Sequence, residues 1–301
     1  MVFLLGPTAS GKSRLAMEVA RKANAEIVSM DAFQIYRGMD IGTAKPTSKD
    51  RMEIPHHLLD LVSPEQPFSA ADYKREGEKV LMDLEKRNQG AIWVGGTGLY
   101  HRVMTEGLSA APRTESETAA QIETMSTTEM ADEIRKADPA WAKGADLRNR
   151  RRMVRALAVW RQSGRVMSDW QKNETVSGPL AKLKTYVLMP KIEDLISLIV
   201  KRVERMLEEG WVEEVQELMT RDGWRGSLGS RAIGYAEVGL LGEGKVGRKE
   251  ACDKIVAETR AYAKRQLTWF RGLPNFQVIE FDPQLPASQR TVQTLATALN
   301  E

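Results

Sequence analysis

A glycine-rich loop near the first residues is the feature that most constrains the fold. Residues 6–13 match G-x-x-x-x-G-K-[ST]; they lie between apolar residues 2–5, typical of a β-strand, and residues 12–22, whose apolar side chains recur at helical spacing. In this context backbone N–H groups and the helix N-terminus bind phosphate oxygens, Lys12 neutralises charge, and Ser13 can ligate Mg²⁺. The pattern predicts a phosphate-binding P-loop, with a chance Gly-rich turn as the weaker alternative.

Short apolar runs alternate with amphipathic stretches in the first third of the chain. Residues 26–30 and 91–94 predict two further strands, and residues 70–86 predict a helix with Ser69 as its N-cap. Residues 185–189 predict a strand that returns to the same sheet. We therefore expect an α/β fold: a P-loop NTPase-like core with a parallel sheet flanked by helices.

The composition changes between residues 112 and 172. This segment is rich in Glu, Thr, Met, Arg and Ala and contains no run typical of a strand. It predicts an all-helical insertion domain, residues 112–172, within a core domain formed by residues 1–111 and 173–301.

The second half of the core is predicted to be mainly helical. Residues 195–219 and 249–270 each have the spacing of a long amphipathic helix, and the Gly-rich residues 223–247 separate them. A Pro-rich tail follows and predicts a short final helix.

Composition excludes several classes of protein. A formal net charge of +3 is too small to indicate a nucleic-acid-binding protein without local clustering. Cys252 is the only cysteine, which excludes an internal disulfide and a zinc site built from several thiolates. The first residues form neither a basic export signal nor a long apolar segment, so we expect a cytoplasmic protein with no membrane contact.

A P-loop ordinarily binds ATP or GTP, but the usual second acidic residue is missing here. An NTPase would carry an Asp or Glu at the end of the strand over residues 91–94. Residues 95–100 read Gly-Gly-Thr-Gly-Leu-Tyr instead, and the next acidic residue is Glu106. The sequence therefore indicates that another phosphate compound occupies the loop.

Asp31 is the candidate acid–base residue. It ends the second predicted strand, and the carboxyl ends of strands in α/β folds face the ligand crevice. There it could bind Mg²⁺ through water or accept a proton; the alternative is a turn cap. Lys45 remains open between an exposed side chain and a second phosphate contact. A metal role for His56 and His57 is disfavoured because no further Cys/His cluster completes a site.

The sequence resembles the tRNA dimethylallyltransferases, also called tRNA isopentenyltransferases. The resemblance spans nearly the whole chain and, with no C-terminal Cys/His zinc finger, is to the bacterial type. Its ordered motifs are residues 6–13, Asp31 with Gln34 and Tyr36, and residues 40–46, 56–60, 95–100, 155–157, 232–235, 262–266 and 268–271.

The resemblance implies transfer of a dimethylallyl group from dimethylallyl diphosphate to N6 of adenosine 37, beside the anticodon of tRNA. It implies Mg²⁺ as cofactor and the anticodon stem-loop as partner, and we expect a monomer. In the family the P-loop holds the diphosphate of the prenyl donor, which accounts for the missing acid after residues 91–94. The helical insertion would clamp the tRNA.

Residue roles follow from the same resemblance. Asp31 would be the general base, while Thr97 and Arg231 would orient and neutralise the leaving group. Ser13 would ligate the metal. The diphosphate would contact Gly6, Thr8, Ala9, Ser10, Gly11, Lys12 and Ser13. The tRNA would contact Asp31, Ala32, Phe33, Gln34, Thr97, Arg151, Arg152, Arg155, Arg231 and Lys264.

Four positions depart from the family pattern. Ala32 stands where Ser is common, and Arg151 where Gln is usual. Ala158 replaces a Glu, and Ala236 replaces a basic residue. These departures leave the proposed catalytic groups in place and affect the details of tRNA contact.

Two basic clusters are candidates for binding RNA backbone. On one helix face, Arg148, Arg151, Arg152 and Arg155 would form a stripe suited to phosphates, although charge runs are usually solvated faces. The second cluster is Arg260, Lys264, Arg265 and Arg271, whose interleaved aromatics Tyr262, Trp269 and Phe270 we expect in the core.

Two competing functions remain open on the sequence. A small-molecule or nucleoside kinase would share the P-loop, the strand-end Asp31 and a helical lid, but it predicts ATP binding. A non-catalytic RNA-binding module would need the basic clusters without the combination of Lys12, Ser13 and Asp31.

Overall fold

A computed structural model describes residues 1–173, 177–282 and 288–300. Its sheet has six strands within these ranges, all paired in parallel in the order β3-β2-β4-β1-β5-β6. The strands are β1 (Val2–Leu5), β2 (Glu26–Met30), β3 (His56–His57), β4 (Ala91–Gly95), β5 (Thr185–Leu188) and β6 (Gln277–Ile279). The expected α/β class with a parallel sheet is confirmed.

Helices connect and flank these strands. Before residue 106 they are α1 (Lys12–Ala23), α2 (Ser48–Glu53), α3 (Ala70–Lys86) and α4 (Gly98–Thr105). The next five are α5 (Ser116–Glu123), α6 (Thr127–Ala137), α7 (Pro139–Gly144), α8 (Arg150–Ser163) and α9 (Met167–Asn173). The last five are α10 (Ile192–Glu208), α11 (Trp211–Met219), α12 (Tyr235–Gly242), α13 (Arg248–Arg271) and α14 (Gln289–Asn300).

The chain divides into two compact units. The first comprises Met1–Met104 and Lys182–Glu301, and the second comprises Thr105–Ala181. The second unit holds α5 to α9 around its own buried core and, in the part that the structure describes, no strand. The segment predicted as a helical insertion, residues 112–172, lies within this second unit.

Several local predictions are confirmed and explained by the backbone. Ser69 caps α3 with a capping box, its hydroxyl accepting from the Asp72 N–H while the Asp72 carboxylate accepts from the Ser69 N–H. The strands predicted at residues 2–5, 26–30 and 91–94 form as expected, and the predicted strand at 185–189 ends at Leu188.

The prediction of one continuous helix over residues 195–219 is wrong. Gly210 adopts φ of 101° and separates α10 from α11. Helical spacing continues across this break because Leu207 and Trp211 are both buried on the same side, so periodicity concealed it. Strand β6 was also missed, since Gln277 and Val278 are exposed and lack an apolar pattern.

The Gly-rich residues 223–247 are more ordered than their composition indicates. They contain α12 and a 3-10 turn, Gly229–Arg231. The predicted final helix forms as α14, whereas residues 283–287 of the Pro-rich tail lie outside the described residues.

Strand order determines where the candidate site lies. Strands β2, β4 and β1 are neighbours, so the loops after their carboxyl ends meet at one edge of the sheet. Helices α1 and α14 pack in one apolar cluster with these strands, and helices α10 to α13 form a second cluster with the loop after β2. Each of the three loops that carry candidate residues is therefore anchored to a buried strand.

Candidate active site

The loop over residues 6–13 has the conformation of an anion-binding nest. Ala9 and Gly11 both have positive φ values, 62° and 79°, which turn successive N–H groups toward one side. Ser10 is 1 % exposed, and its hydroxyl has no hydrogen-bond partner among the described residues. A buried hydroxyl without a partner is costly unless a ligand supplies one, so the loop is suited to an anionic guest.

Lys12 carries the positive charge of this loop. Its Nζ donates to the Pro7 carbonyl at 3.2 Å. Burial, and after it the Arg202 charge, lower the pKa of Lys12 to about 8, and the Asp31 carboxylate partly opposes both effects. A bound anion would favour the ammonium form and raise this pKa again.

Arg202 is a candidate site residue that our sequence analysis missed. Burial lowers its pKa, while the charge of Asp31 opposes that shift, so the guanidinium and the carboxylate interact. Arg202 lies on α10 among the buried positions Ile199 and Val203. An arginine on the apolar face of an amphipathic helix was the available signal, because such a position is rarely a solvated one.

Arg231, in contrast, is exposed at the end of the 3-10 turn. The arginine whose charge acts on Lys12 is Arg202. Arg202 is therefore a second candidate for neutralising a bound anion, beside the role that the resemblance implies for Arg231.

Asp31 is both a turn cap and a charge that faces the site. Its Oδ1 accepts from the N–H groups of Phe33 at 2.9 Å and Gln34 at 3.3 Å. Burial and then the Asp31 charge raise the pKa of Tyr262 to about 12, and the same two causes raise the pKa of Tyr100. The two alternatives for Asp31 are thus compatible: one oxygen holds the turn, and the carboxylate charge acts on the surrounding side chains.

The residues that follow Asp31 support the loop. The Gln34 Oε1 accepts from Ser29 Oγ at 2.9 Å, and its Nε2 donates to the Thr43 and Ala44 carbonyls at 3.2 and 3.1 Å. Both amide protons of Gln34 are occupied, so its contacts do not support recognition of a base edge. Phe33 packs with the second apolar cluster, and Ala32 is half-buried.

The loop over residues 40–46 is held from both sides. Glu214 on α11 accepts N–H bonds from Asp40 at 2.7 Å, Ile41 at 2.6 Å and Gly42 at 3.2 Å. A Cβ on Gly42 would lie 2.2 Å from the Trp211 Nε1, so only glycine fits beside that ring. No sequence signal pointed to Glu214, because the three N–H groups that it holds lie more than 170 residues away.

The loop after β4 contains Thr97 between two glycines that approach α13 closely. A Cβ on Gly96 would lie 2.1 Å from the Gln266 Nε2, and a Cβ on Gly98 would lie 2.4 Å from the Trp269 ring. Thr97 is half-buried, and its side chain interacts with Tyr262, lowering the pKa of that phenol against the larger effect of burial. Gly96 and Gly98 therefore allow α13 to pack closely against this loop on either side of Thr97. Thr97 in turn interacts with Tyr262, a side chain on which the Asp31 charge acts.

Comparison with known proteins identifies the family. A profile described as IPP transferase matches residues 34–273. The chain belongs to the IPP transferase family. It is 39 % identical to the tRNA dimethylallyltransferase of Geobacter sulfurreducens over 98 % of this chain and 95 % of that relative. It is 40 % identical to the enzyme of the same name from Geobacter metallireducens, over 97 % and 96 %.

A solved structure supports the same family assignment. The crystal structure of the full-length tRNA isopentenylpyrophosphate transferase from Bacillus halodurans matches with a TM-score of 0.71 and 31 % identity, covering 99 % of this chain and 96 % of that one. The parallel sheet and helical unit described above are therefore those of an IPP transferase.

The basic run of this IPP transferase is not a single helix face. Helix α8 begins at Arg150, so Arg148 precedes it and pairs with Asp146 instead. The prediction that Arg148 shares a helical stripe with Arg155 is wrong. Arg151 and Arg152 are exposed and available to a partner.

Arg155 is used inside the second unit. Its guanidinium donates to the Ala111 carbonyl at 3.2 Å, to Thr114 Oγ1 at 3.1 Å and to the Pro112 carbonyl. Burial lowers its pKa, as expected for a half-buried guanidinium. These contacts make Arg155 a brace between α8 and the segment before α5.

On α13, Lys264 is exposed and Phe270 is fully buried, so the core prediction for Phe270 is confirmed. Trp269 and Tyr262 are half-buried.

His57 hydrogen-bonds the Glu26 carboxylate at 2.6 Å. In the described ranges, no helix is long and apolar enough to cross a membrane.

Proposed function

We propose that this protein transfers a dimethylallyl group from dimethylallyl diphosphate to N6 of adenosine 37 in tRNA. The observation that carries the proposal is the electrostatic coupling of Lys12, in the 6–13 loop, to Arg202 and Asp31. The chain is also similar, over nearly its full length, to proteins named tRNA dimethylallyltransferase. The two cations, Lys12 and Arg202, can bind a diphosphate, and the Asp31 carboxylate can accept a proton.

The 6–13 loop would bind the donor's diphosphate. Its N–H groups and the Ser10 hydroxyl offer hydrogen bonds, while Lys12 and Arg202 offer positive charge. Negative charge accumulates on the diphosphate as the C1–O bond breaks. Positively charged side chains and N–H groups that are held in a half-buried site stabilise this negative charge more than water does.

Magnesium fits this site with few protein ligands. Among the described residues no group of three His, Cys, Asp or Glu side chains could hold a metal. Mg²⁺ needs no such cage, since it retains several waters and binds one or two protein oxygens plus substrate phosphates. The exposed Ser13 hydroxyl in the first turn of α1 and the Asp31 carboxylate would hold it. When bound, Mg²⁺ would neutralise part of the diphosphate charge.

Asp31 would accept the proton released by the acceptor amine. The N6 lone pair of adenine is delocalised into the ring, so removal of a proton as the N6–C1 bond forms favours the reaction. The turn formed with Phe33 and Gln34 fixes the carboxylate through one oxygen. The balance is one N6–C1 bond formed, one C1–O bond broken, and one proton moved to Asp31.

The tRNA would contact exposed cations on both units. Arg151 and Arg152 on α8 and Lys264 on α13 are solvent-exposed and suited to backbone phosphates. The helical unit over residues 105–181 would act as the clamp, and adenosine 37 would be extruded from the anticodon loop to reach Asp31. We place this reaction in the cytoplasm and expect a monomer to perform it.

The test is transfer of label into tRNA. Purified protein is incubated with Mg²⁺, labelled dimethylallyl diphosphate and unmodified tRNAs that do or do not carry adenosine 37. Label is expected only in the tRNAs that carry adenosine 37, and only with Mg²⁺ present. Absence of label, together with phosphate transfer from ATP to a small acceptor, would support a kinase instead.

A further inference from the structure

A single buried amide joins the two loops that face the donor. Gln266 on α13 is 6 % exposed. Its Oε1 accepts from the Thr8 N–H at 2.9 Å, and its Nε2 donates to the Gly96 carbonyl at 2.9 Å. Thr8 belongs to the 6–13 loop after β1, and Gly96 follows β4, so the amide bridges loops from neighbouring strands.

Both bonds go to backbone groups that would otherwise be difficult to satisfy. The Thr8 N–H is engaged by Gln266, so any contact of Thr8 with the diphosphate, which the family resemblance implies, would use another of its atoms. A buried amide is costly unless both ends are hydrogen-bonded, and here both are. The adjacent Leu267 packs in the second apolar cluster, whereas the buried Gln266 side chain makes polar contacts with the two loops.

The neighbouring turns of α13 make the same connection. Tyr262, one helical turn earlier, interacts with the Thr97 side chain, and Trp269 packs where a Cβ on Gly98 would collide. Gly96 lacks a side chain where Gln266 approaches. Helix α13 thus contacts three successive residues, 96–98, of the loop after β4. Of the three α13 side chains that make these contacts, only Gln266 also reaches the 6–13 loop.

We propose that Gln266 is a positioning residue that fixes the 6–13 loop relative to residues 96–98 and thereby sets the affinity for the donor's diphosphate. The proposal rests on the proposed function of this site. Gln266 touches loop backbone rather than substrate. Its loss is therefore expected to weaken binding of a diphosphate more than it slows the chemical step.

The decisive variant is Gln266→Glu, because its effect depends on pH. An ionised glutamate accepts from the Thr8 N–H but cannot donate to the Gly96 carbonyl, and it adds negative charge beside the diphosphate. A protonated glutamate restores both hydrogen bonds, and burial raises the pKa of a carboxyl. The Kd of Gln266→Glu for inorganic diphosphate, divided by that of the wild type, should fall about tenfold or more from pH 8 to pH 5.5.

Two further variants separate positioning from packing. Gln266→Leu fills the space without hydrogen bonds, so its Kd ratio should be raised about tenfold or more at every pH. Gln216→Glu is the matched control: the exposed Gln216 also donates to a backbone carbonyl, that of Gly242 at 3.2 Å, but on α11. Its Kd ratio should stay near one throughout.

Calorimetry with inorganic diphosphate and Mg²⁺ gives these constants without any transfer reaction. A pH-independent ratio for Gln266→Glu, or an unchanged Kd for Gln266→Leu, would overturn the proposal. Comparing one folded variant at two pH values removes the concern that a variant is simply unstable. Failure of the wild type to label tRNA would count against the proposed function alone, since the diphosphate constants do not depend on it.

Discussion

The Lys45 Nζ lies 2.6 Å from Asp60 Oδ1, and the Lys45 side chain has no exposed surface. The same ammonium bonds Asp40 Oδ1 at 2.6 Å and the Tyr36 carbonyl at 2.7 Å. Neither alternative left open by the sequence is correct, because Lys45 is neither exposed nor turned to phosphate. It ties residues 36, 40 and 60 together beneath the loop that carries Asp31.

Replacing Lys45 by methionine should therefore destabilise the protein. Two carboxylates would lose a buried cation, which costs about 3 kcal/mol, the low end for a broken buried pair because Asp40 and Asp60 are partly exposed. Denaturant unfolding of Lys45→Met measures this difference. Lys49→Met, at an exposed position of α2, is the control and should change stability little.

Replacing Asp31 by asparagine should slow turnover strongly without unfolding the turn. An asparagine Oδ1 can still accept from Phe33 and Gln34, but the side chain cannot take a proton. We expect a loss of about 10²–10⁴-fold in single-turnover transfer. Affinity for dimethylallyl diphosphate, measured without Mg²⁺ because Asp31 is also a proposed metal ligand, should be kept or improved, since a negative charge beside the diphosphate is removed. Near-normal turnover would rule out Asp31 as the base.

Donor binding should weaken as pH rises above the pKa of Lys12. That pKa is lowered to about 8, so the free protein loses the ammonium as pH rises through this value. Since the diphosphate selects the ammonium form, affinity should fall about tenfold per pH unit above pH 8. Calorimetry in buffers of different ionisation enthalpy should detect the proton uptake. Lys12→Arg, which stays charged, should show a flat profile.

The arginines of α8 should separate into two kinds. Removing Arg151 and Arg152 together should make the salt dependence of tRNA binding shallower by about 1–2 units of slope, as expected for two lost phosphate contacts. Removing Arg155 should instead lower the stability of the helical unit, because three oxygen acceptors lose their donor. Filter binding at several salt concentrations, with thermal unfolding in parallel, distinguishes the two.

His101 should make the protein sensitive to acid. Burial lowers its pKa to about 4, against about 6.5 for an unfolded histidine. The unfolded state therefore binds the proton first, and stability should fall as pH drops from about 6.5 toward 4, by about 3 kcal/mol in total from this group. Denaturant midpoints of the wild type and His101→Gln should diverge in this window. Parallel curves would contradict a buried neutral His101.

Local patterns predicted the fold well, because strand and helix periodicity depends on neighbouring residues. The apolar run at residues 2–5, the glycine loop and the Ser69 cap are all short-range signals, and all three appear as expected. Gly210 shows the limit of such signals, since apolar spacing continued across a break made by the backbone alone.

The site was predicted in part. Asp31 and Lys12 were found because motif and strand end coincide. Arg202, Glu214 and Gln266 were not, because their partners are distant in sequence and no spacing rule connects them. Arg155 was assigned to RNA because its burial against residues 111–114 depends on tertiary packing.

The bond between Thr8 and Gln266 spans 258 residues of chain. During synthesis at roughly 5–20 residues per second, the glycine loop is made roughly 13–50 s before the helix that bridges it to residue 96. A nascent chain therefore carries its phosphate loop through most of translation without this bridge. The donor site reaches its final form as a late event in the making of the protein, after the helical unit has already been synthesised.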